Sequence, residues 1–291
     1  MKPAPFTYHR APSLDAALTV LATHGAQAKP LAGGQSLVPM MNLRLAQPAH
    51  LVDLNDLLEW QRIWEEPEHL VLGFLNRHHQ VAQSERVKAL CPLMAQMVQT
   101  IGHEPIRHRG TLGGSLANAD PAAQWVLLAI TLEAEIGLRS TQGERWLPAR
   151  EFFLAAMTTA ARADELLVAI RVPKARAGEV HAYEMFNRRH GDYALAAVAL
   201  TLELHDGVVR TLRLGVAGGT PVPQGLHALA PAFCAQVPDA AWRARLAQAV
   251  RDAFTPDDDP EVPATYRRDL VHTLTLRALA SATSSLQKVH A

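Results

Sequence analysis

Hydrophobic positions along residues 1–55 alternate between short extended runs and one clear helical repeat. Leu14, Leu18 and Leu21 recur at helical spacing after Ser13, a typical N-cap residue, and before Gly25, which suits a helix end. The remaining apolar runs predict strands near Phe6 and Tyr8 and at residues 29–31 and 50–54, with a second helix at 37–45. We therefore predict a β–α–β–α–β unit.

From residue 56 to 175 the pattern predicts a mixture of helices and antiparallel strands. Helical spacing or helix-like composition predicts helices at 84–90, 93–101, 122–129 and 152–157. Apolar runs on either side of Gln142-Gly143 indicate a hairpin of strands at 133–139 and 145–147, and residues 165–172 read as another strand ending at Pro173. This mixed pattern distinguishes residues 56–175 from the β–α–β–α–β unit that precedes them.

A polar, glycine-bearing segment at residues 174–179 separates this region from an antiparallel pattern. Strands are predicted at 181–187, 194–205 and 208–216, the last two joined by Asp206-Gly207, a strong hairpin signal. Helices follow at 239–254 and 264–280. The predicted fold class is α+β, with a first domain at 1–175, in two parts at 1–55 and 56–175, and a C-terminal domain at 176–291.

Composition narrows the function classes. Lys and Arg total 28 and Asp and Glu total 28, so there is no excess positive charge for nucleic acid. No apolar run reaches the roughly 20 residues of a membrane-spanning helix. The 2 cysteines exclude a disulfide framework, favour the cytoplasm, and are too few for an iron–sulfur cluster. The 14 histidines are scattered, and no metal ligands are predicted among them.

Two glycine-rich segments carry the candidate chemistry. The first is AGGQSL at residues 32–37, directly after a predicted strand, and the second is RHRGTLGGSLANADP at 107–121. Glycine allows positive φ and close approach of a ligand to the backbone, and successive N–H groups in such a turn form an anion site. Two such turns predict a diphosphate bound from two sides. Rossmann, P-loop and G-x-S-x-G motifs are absent from the sequence.

The segments at 32–55 and 106–123, with RRHGDYALAAVAL at 188–200 and TYRRDLVHTLTLRAL at 265–279, give a specific resemblance. They resemble the FAD-binding medium subunit of molybdenum hydroxylases, the carbon monoxide dehydrogenase and xanthine dehydrogenase flavoprotein family. The resemblance implies the two-lobed FAD-binding fold of the vanillyl-alcohol oxidase type. It further implies a C-terminal domain with a three-stranded antiparallel sheet and helices.

By position, the resemblance implies an FAD site built mainly from the two glycine segments. Gln124 stands where relatives often carry an acidic residue toward the adenosine, and Met185 stands where they often carry Lys. No residue is assigned a catalytic role. The implied cofactor-binding residues are Lys29, Ala32, Gly33, Gly34, Gln35, Ser36, Leu37, Thr111, Gly113, Gly114, Ser115, Asp120, Gln124, Leu166, Leu167 and Tyr193.

The resemblance also implies partners and an electron route. A large subunit would hold the molybdenum cofactor, and a small subunit would hold two [2Fe–2S] clusters. The assembly would be a dimer of heterotrimers in which this oxidoreductase subunit passes electrons to an external acceptor. Two alternatives remain open: a free-standing FAD-dependent oxidase, and a scaffold subunit that has lost FAD.

Overall fold

The computed structural model describes the backbone of residues 2–289 and the side chains of residues 2–283. The first lobe is a parallel three-stranded sheet of order β1-β3-β2. Its helix α1 starts where the hydroxyl of Ser13 accepts from the N–H of Ala16 at 3.2 Å and stops at Gly25, as predicted. The elements are β1 (Thr7–Arg10), α1 (Leu14–His24), β2 (Ala28–Leu31), α2 (Leu37–Asn42) and β3 (His50–Asp53).

The second lobe is an antiparallel five-stranded sheet of order β4-β5-β10-β6-β7, covered by short helices. The predicted hairpin around Gln142-Gly143 is confirmed as β6 and β7. The elements are β4 (Ile63–Glu65), β5 (His69–Gly73), α3 (His78–Gln83), α4 (Glu85–Leu90), α5 (Pro92–Val98), α6 (Glu104–Arg109), α7 (Leu112–Asn118), α8 (Gln124–Thr131), β6 (Glu135–Ser140), β7 (Gly143–Pro148), α9 (Ala149–Phe152), β8 (Phe153–Ala155), β9 (Thr158–Thr159) and β10 (Leu166–Pro173).

The C-terminal region is an antiparallel sheet of order β11-β12-β13-β14, with α12 packed on β11 and β12 and α11 packed on α12. Asp206 and Gly207 both have positive φ in the β12–β13 turn, at 50° and 78°. The elements are β11 (Glu179–Phe186), β12 (Ala196–His205), β13 (Val208–Ala217), β14 (Gln224–Gly225), α10 (Ala230–Phe233), α11 (Ala240–Ala253) and α12 (Ala264–Val289).

Three predictions about elements are wrong. The C-terminal sheet has a fourth strand, β14, which is only 2 residues long and leaves no pattern in the sequence. Residues 152–157 do not form a helix, because the chain leaves α9 at Phe153 and turns back as β8 and β9. The last helix extends beyond residue 280 to Val289.

Apolar side chains form two buried clusters. The larger joins both lobes and includes Leu18, Leu72 and Trp125, while the other lies between the C-terminal sheet and its helices around Trp242. The two clusters meet where α8 packs on β13. The packing is so close that a Cβ on Gly215 would lie 2.1 Å from the hydroxyl oxygen of Thr131. No helix within residues 2–289 combines the length and apolar character needed to cross a membrane.

Candidate dinucleotide site

The first glycine segment leaves β2 at the carboxyl end of the parallel sheet, where ligands bind in many α/β units. Gly34 has a φ of 72°, which turns the chain toward α2. Among the described residues, no acceptor is bonded to the backbone N–H groups of residues 33–36. Four consecutive free donors in a chain that passes through positive φ form a nest for an anion.

The second glycine segment differs from its prediction as a turn. Gly113, Gly114 and Ser115 lie inside α7, whose N-cap Thr111 accepts from the N–H of Gly114 at 3.1 Å. The N–H of Gly113 donates to the carbonyl of Phe74 at 2.9 Å. The N–H groups of its glycines are therefore already hydrogen-bonded within the protein. The groups that remain available to an anion are the exposed backbone of Gly114 and the hydroxyl of Ser115.

The two segments touch backbone to backbone. A Cβ on Gly33 would lie 2.4 Å from the carbonyl oxygen of Arg109 and 2.8 Å from the Cα of Gly110. Real Cβ atoms do not approach other atoms so closely, so Gly33 is needed for this contact. Gly113 packs in the same way on Phe74, where a Cβ would lie 2.5 Å from the Cβ of Phe74. Both glycines therefore serve close packing, and among the glycines of the two segments only Gly34 has positive φ.

Arg77 links the two segments, and the sequence did not indicate it. One arm of its guanidinium donates to the carbonyl of Arg109, and the other donates to Asn55 Oδ1 at 2.5 Å. The amide nitrogen of Asn55 in turn donates to the carbonyl of Ala32 at 3.0 Å. Burial, with the nearby charge of Arg109, lowers the pKa of Arg77. No motif marks Arg77 or Asn55, because the contacts depend on distant segments.

His78 is hydrogen-bonded to the second glycine segment. Its backbone N–H donates to the carbonyl of Gly110 at 3.1 Å, and its Nδ1 accepts from the indole N–H of Trp125 at 3.0 Å. Both side chains are buried, at 4% and 1% exposure. Burial, together with the charges of Arg77 and Arg107, lowers the pKa of His78 to about 3. The ring is therefore neutral, with its proton on Nε2.

The structure brings Asp120 and Tyr193 together from two different regions. Asp120 follows α7 and accepts from the N–H of Ala122 at 2.9 Å, while Tyr193 lies in the loop between β11 and β12. Desolvation, together with the nearby charge of Asp120, raises the pKa of Tyr193 to about 12. The residue as a whole is 57% exposed, so part of its side chain is accessible to a ligand.

The other predicted residues occupy varied positions. Gln124 is buried, with its amide nitrogen 3.3 Å from the carbonyl of Thr100. Gln35 donates to the carbonyl of Gly33 at 3.0 Å. Leu166 and Leu167 are buried core residues of β10, both at 5% exposure. Lys29 is exposed on β2, and Ala32, Ser36 and Leu37 are partly buried around the nest.

This fold and site define a class: an α+β protein in which two glycine-rich segments meet beside the carboxyl end of a parallel sheet and present free backbone N–H groups. Residues 4–175 match the sequence model of the FAD binding domain in molybdopterin dehydrogenase, and residues 181–282 match that of the CO dehydrogenase flavoprotein C-terminal domain. The chain belongs to the FAD-binding medium subunits of molybdenum hydroxylases, the carbon monoxide dehydrogenase and xanthine dehydrogenase family.

Individual relatives match over nearly their full length. The 6-hydroxypseudooxynicotine dehydrogenase complex subunit alpha of Paenarthrobacter nicotinovorans is 34% identical, covering 97% of this chain and 96% of that protein. The carbon monoxide dehydrogenase medium chain of Afipia carboxidovorans is 35% identical over 97% and 98%. A solved carbon monoxide dehydrogenase from Hydrogenophaga pseudoflava superimposes with a TM-score of 0.93 at 34% identity, covering 98% and 99%. The chain is thus a flavoprotein subunit of a molybdenum-dependent dehydrogenase.

Proposed function

We propose that this chain is the FAD-containing electron-transfer subunit of its complex. It takes electrons from the [2Fe–2S] clusters of a partner subunit and passes them to an external acceptor. The observation that carries the proposal is the nest of four free N–H groups at residues 33–36, packed through Gly33 against Arg109. A bound flavin supplies the redox chemistry, since it exchanges electrons singly or in pairs.

The chain's own residues would bind and orient the dinucleotide. The N–H groups of residues 33–36 would donate to the pyrophosphate, joined by the hydroxyls of Ser36 and Ser115. Each hydrogen bond to a charged group contributes roughly 1.5–3 kcal/mol. The ring of Tyr193, which is near the charge of Asp120, would lie against the flavin. The remaining residues of the proposed site are Lys29, Ala32, Leu37, Thr111, Gly113, Gly114, Gln124, Leu166 and Leu167.

The two cysteines of this chain support the placement of the iron–sulfur clusters in another subunit. A [2Fe–2S] cluster needs about four protein ligands. Cys91 is buried, and burial raises its thiol pKa to about 12, while Cys234 is a separate unpaired thiol. We therefore assign the clusters to a small subunit. As the family resemblance implies, the molybdenum cofactor would lie in a large subunit, and the complex would be a dimer of heterotrimers. We further propose that the complex is located in the cytoplasm. We place the boundary between the FAD-binding and C-terminal domains at residues 175–176, between the two matched regions.

The test is to isolate the tagged chain from its native host and analyse what accompanies it. We expect one FAD per chain, molybdenum, and about four iron atoms per chain from two [2Fe–2S] clusters. Reduction of the complex by its substrate should bleach the flavin absorbance, and removal of the small subunit should stop that bleaching. A colourless chain would favour a scaffold that has lost FAD. A yellow chain that reduces oxygen with a small organic donor and no partner would favour a free-standing oxidase.

A further inference from the structure

Three histidines from three different elements meet on one face of the first sheet. His9 lies on β1, His24 ends α1, and His50 begins β3. One ligand nitrogen from each of the three lies within 4.8 Å of the other two. The residues are 15 and 26 positions apart in the sequence, so no short motif reveals them. We call these three residues the histidine triad.

The triad is compact enough to bind one ion. His9 Nε2 lies 2.9 Å from His50 Nδ1, and the rings of His24 and His50 stack with centroids 3.6 Å apart. Two imidazole ligands on a tetrahedral Zn²⁺, each about 2.0–2.1 Å from the metal, lie about 3.3 Å apart. The His9–His50 pair needs to open by a few tenths of an ångström, and the ring of His24 needs to turn from face-on to edge-on.

The chemistry of the triad favours a late first-row divalent cation. A neutral imidazole offers one nitrogen lone pair, so three rings provide three soft-to-borderline donors of the kind that zinc, copper and nickel prefer. All three side chains are partly buried, which leaves a solvent-facing position for a water as the fourth ligand. In the hydrogen bond between His9 and His50 one nitrogen donates and the other accepts, so an ion bound by both would require the donor ring to carry its proton on its other nitrogen.

The triad is separate from the dinucleotide site. In the register of the parallel sheet, His50 pairs with Thr7 and Ala28 at the end where the strands begin. The first glycine segment leaves the opposite end, after Leu31 and Asp53 have paired. The two sites therefore lie at opposite ends of the same three strands, and the triad needs no flavin.

We propose that the triad is a Zn²⁺ site that ties the end of α1 to β1 and β3. The ion would connect elements that are otherwise joined by apolar packing of α1 on the sheet. Each ligand contributes one neutral nitrogen, and the bound ion retains a water. This inference concerns only residues of the first lobe and is independent of the proposed electron transfer.

The test is a ZnCl₂ titration of the full-length flavoprotein after treatment with a chelator, followed by calorimetry and metal analysis. We expect one Zn²⁺ per chain, and at least about 30-fold weaker binding in H24Q and in H50Q. The matched control is H108Q. His108 stacks on His79 with centroids 4.2 Å apart, a pair of similar geometry that no third histidine joins within the described part of the chain.

Two further measurements keep the result decisive. Co²⁺ bound in place of Zn²⁺ should give a visible absorption band that H24Q lacks and H108Q keeps. Zn²⁺ should raise the melting temperature of the wild type and H108Q and leave that of H24Q unchanged. Retained FAD absorbance shows that H24Q is folded. Zinc binding that is absent, equally strong in H24Q, or weakened as much by H108Q would overturn the proposal.

Discussion

Gly33 lies so close to Arg109 that a Cβ placed on it would fall 2.4 Å from the Arg109 carbonyl oxygen. Gly33 belongs to the segment with the four free N–H groups, and Arg109 directly precedes Gly110 in the second glycine segment. The contact therefore fixes the separation of the two segments. Any side chain at residue 33 must push the two segments apart, because the atoms that it would meet, the carbonyl oxygen of Arg109 and the Cα of Gly110, belong to the backbone.

Gly33→Ala is predicted to weaken FAD binding at least about tenfold, since a shift of the nest misplaces several charge-assisted hydrogen bonds. The overpacking should also destabilise the protein by about 1–3 kcal/mol. Fluorescence titration of the FAD-free chain with FAD measures the first effect, and urea unfolding measures the second.

Gly25→Ala is the control for this substitution. Gly25 has a φ of 52°, and a Cβ there would meet nothing within 4 Å. The change should cost about 1–3 kcal/mol of backbone strain and leave FAD affinity unchanged. If G33A bound FAD as tightly as the wild type does, the contact between the segments would have no part in the site.

Arg77→Lys is predicted to weaken FAD binding about tenfold and to lower the free energy of unfolding by about 1–3 kcal/mol. The guanidinium reaches Asn55 and the Arg109 carbonyl with different nitrogens. A lysine ammonium is a single point charge and cannot reproduce that fork. One of the two acceptors would then lose its partner.

The matched control is R86K. Arg86 also donates to a backbone carbonyl, that of Ile63 at 2.6 Å, but its side chain is 50% exposed. Substitution there should change the stability by less than about 1 kcal/mol and leave FAD affinity intact. Equal effects of R77K and R86K in flavin titrations would contradict a linking role for Arg77.

Elements fixed by local interactions were predictable from the sequence. Ser13 caps α1 and Gly25 ends it, and Asp206-Gly207 forms the turn between two strands. In each case residues within a few positions of one another determine the backbone conformation, so the signal lies within a short window. The position of the first glycine segment after β2 was predictable for the same reason.

Features that depend on distant contacts were not predictable in this way. Gly113 looked like part of a turn, but it serves close packing of α7 on Phe74, a contact across 39 residues. Arg77 acquires its role only when two lobes meet. The histidine triad likewise arises because parallel pairing of β1 and β3 places residues 9 and 50 on one face.

His78 is predicted to make stability depend on pH between about 6.5 and 3. Burial lowers its pKa to about 3, whereas an unfolded histidine titrates near 6.5. Below pH 6.5 the unfolded chain binds a proton that the folded chain does not, so stability falls as pH falls. The contribution reaches about 1.4 kcal/mol per pH unit.

The check is urea unfolding of wild type and H78N between pH 7 and 4.5. Asparagine keeps an acceptor for the indole of Trp125, so the variant should fold, with a shallower fall in stability toward acid. H108Q removes a histidine that is 51% exposed in its side chain and should retain the wild-type dependence on pH. Parallel curves for wild type and H78N would contradict a neutral, buried His78.

The proximity of Tyr193 to the charge of Asp120 is predicted to couple the C-terminal region to the second glycine segment. A hydrogen bond from the tyrosine hydroxyl to the carboxylate would give a coupling energy of about 1–2 kcal/mol. A double-mutant cycle of Y193F, D120N and the double variant measures it, through the free energy of unfolding with FAD bound. Each single variant should also weaken FAD binding about three- to tenfold.

Tyr8 provides the comparison, because its hydroxyl donates to Asp53 in a pair of the same chemistry. That pair joins β1 and β3 within the first lobe, at a site where Tyr8 is 51% exposed. Y8F should therefore leave FAD affinity unchanged. If the Tyr193–Asp120 cycle gave no coupling, or if Y8F released FAD as readily as Y193F, then the exposed face of Tyr193 would not lie against the flavin under the control of Asp120.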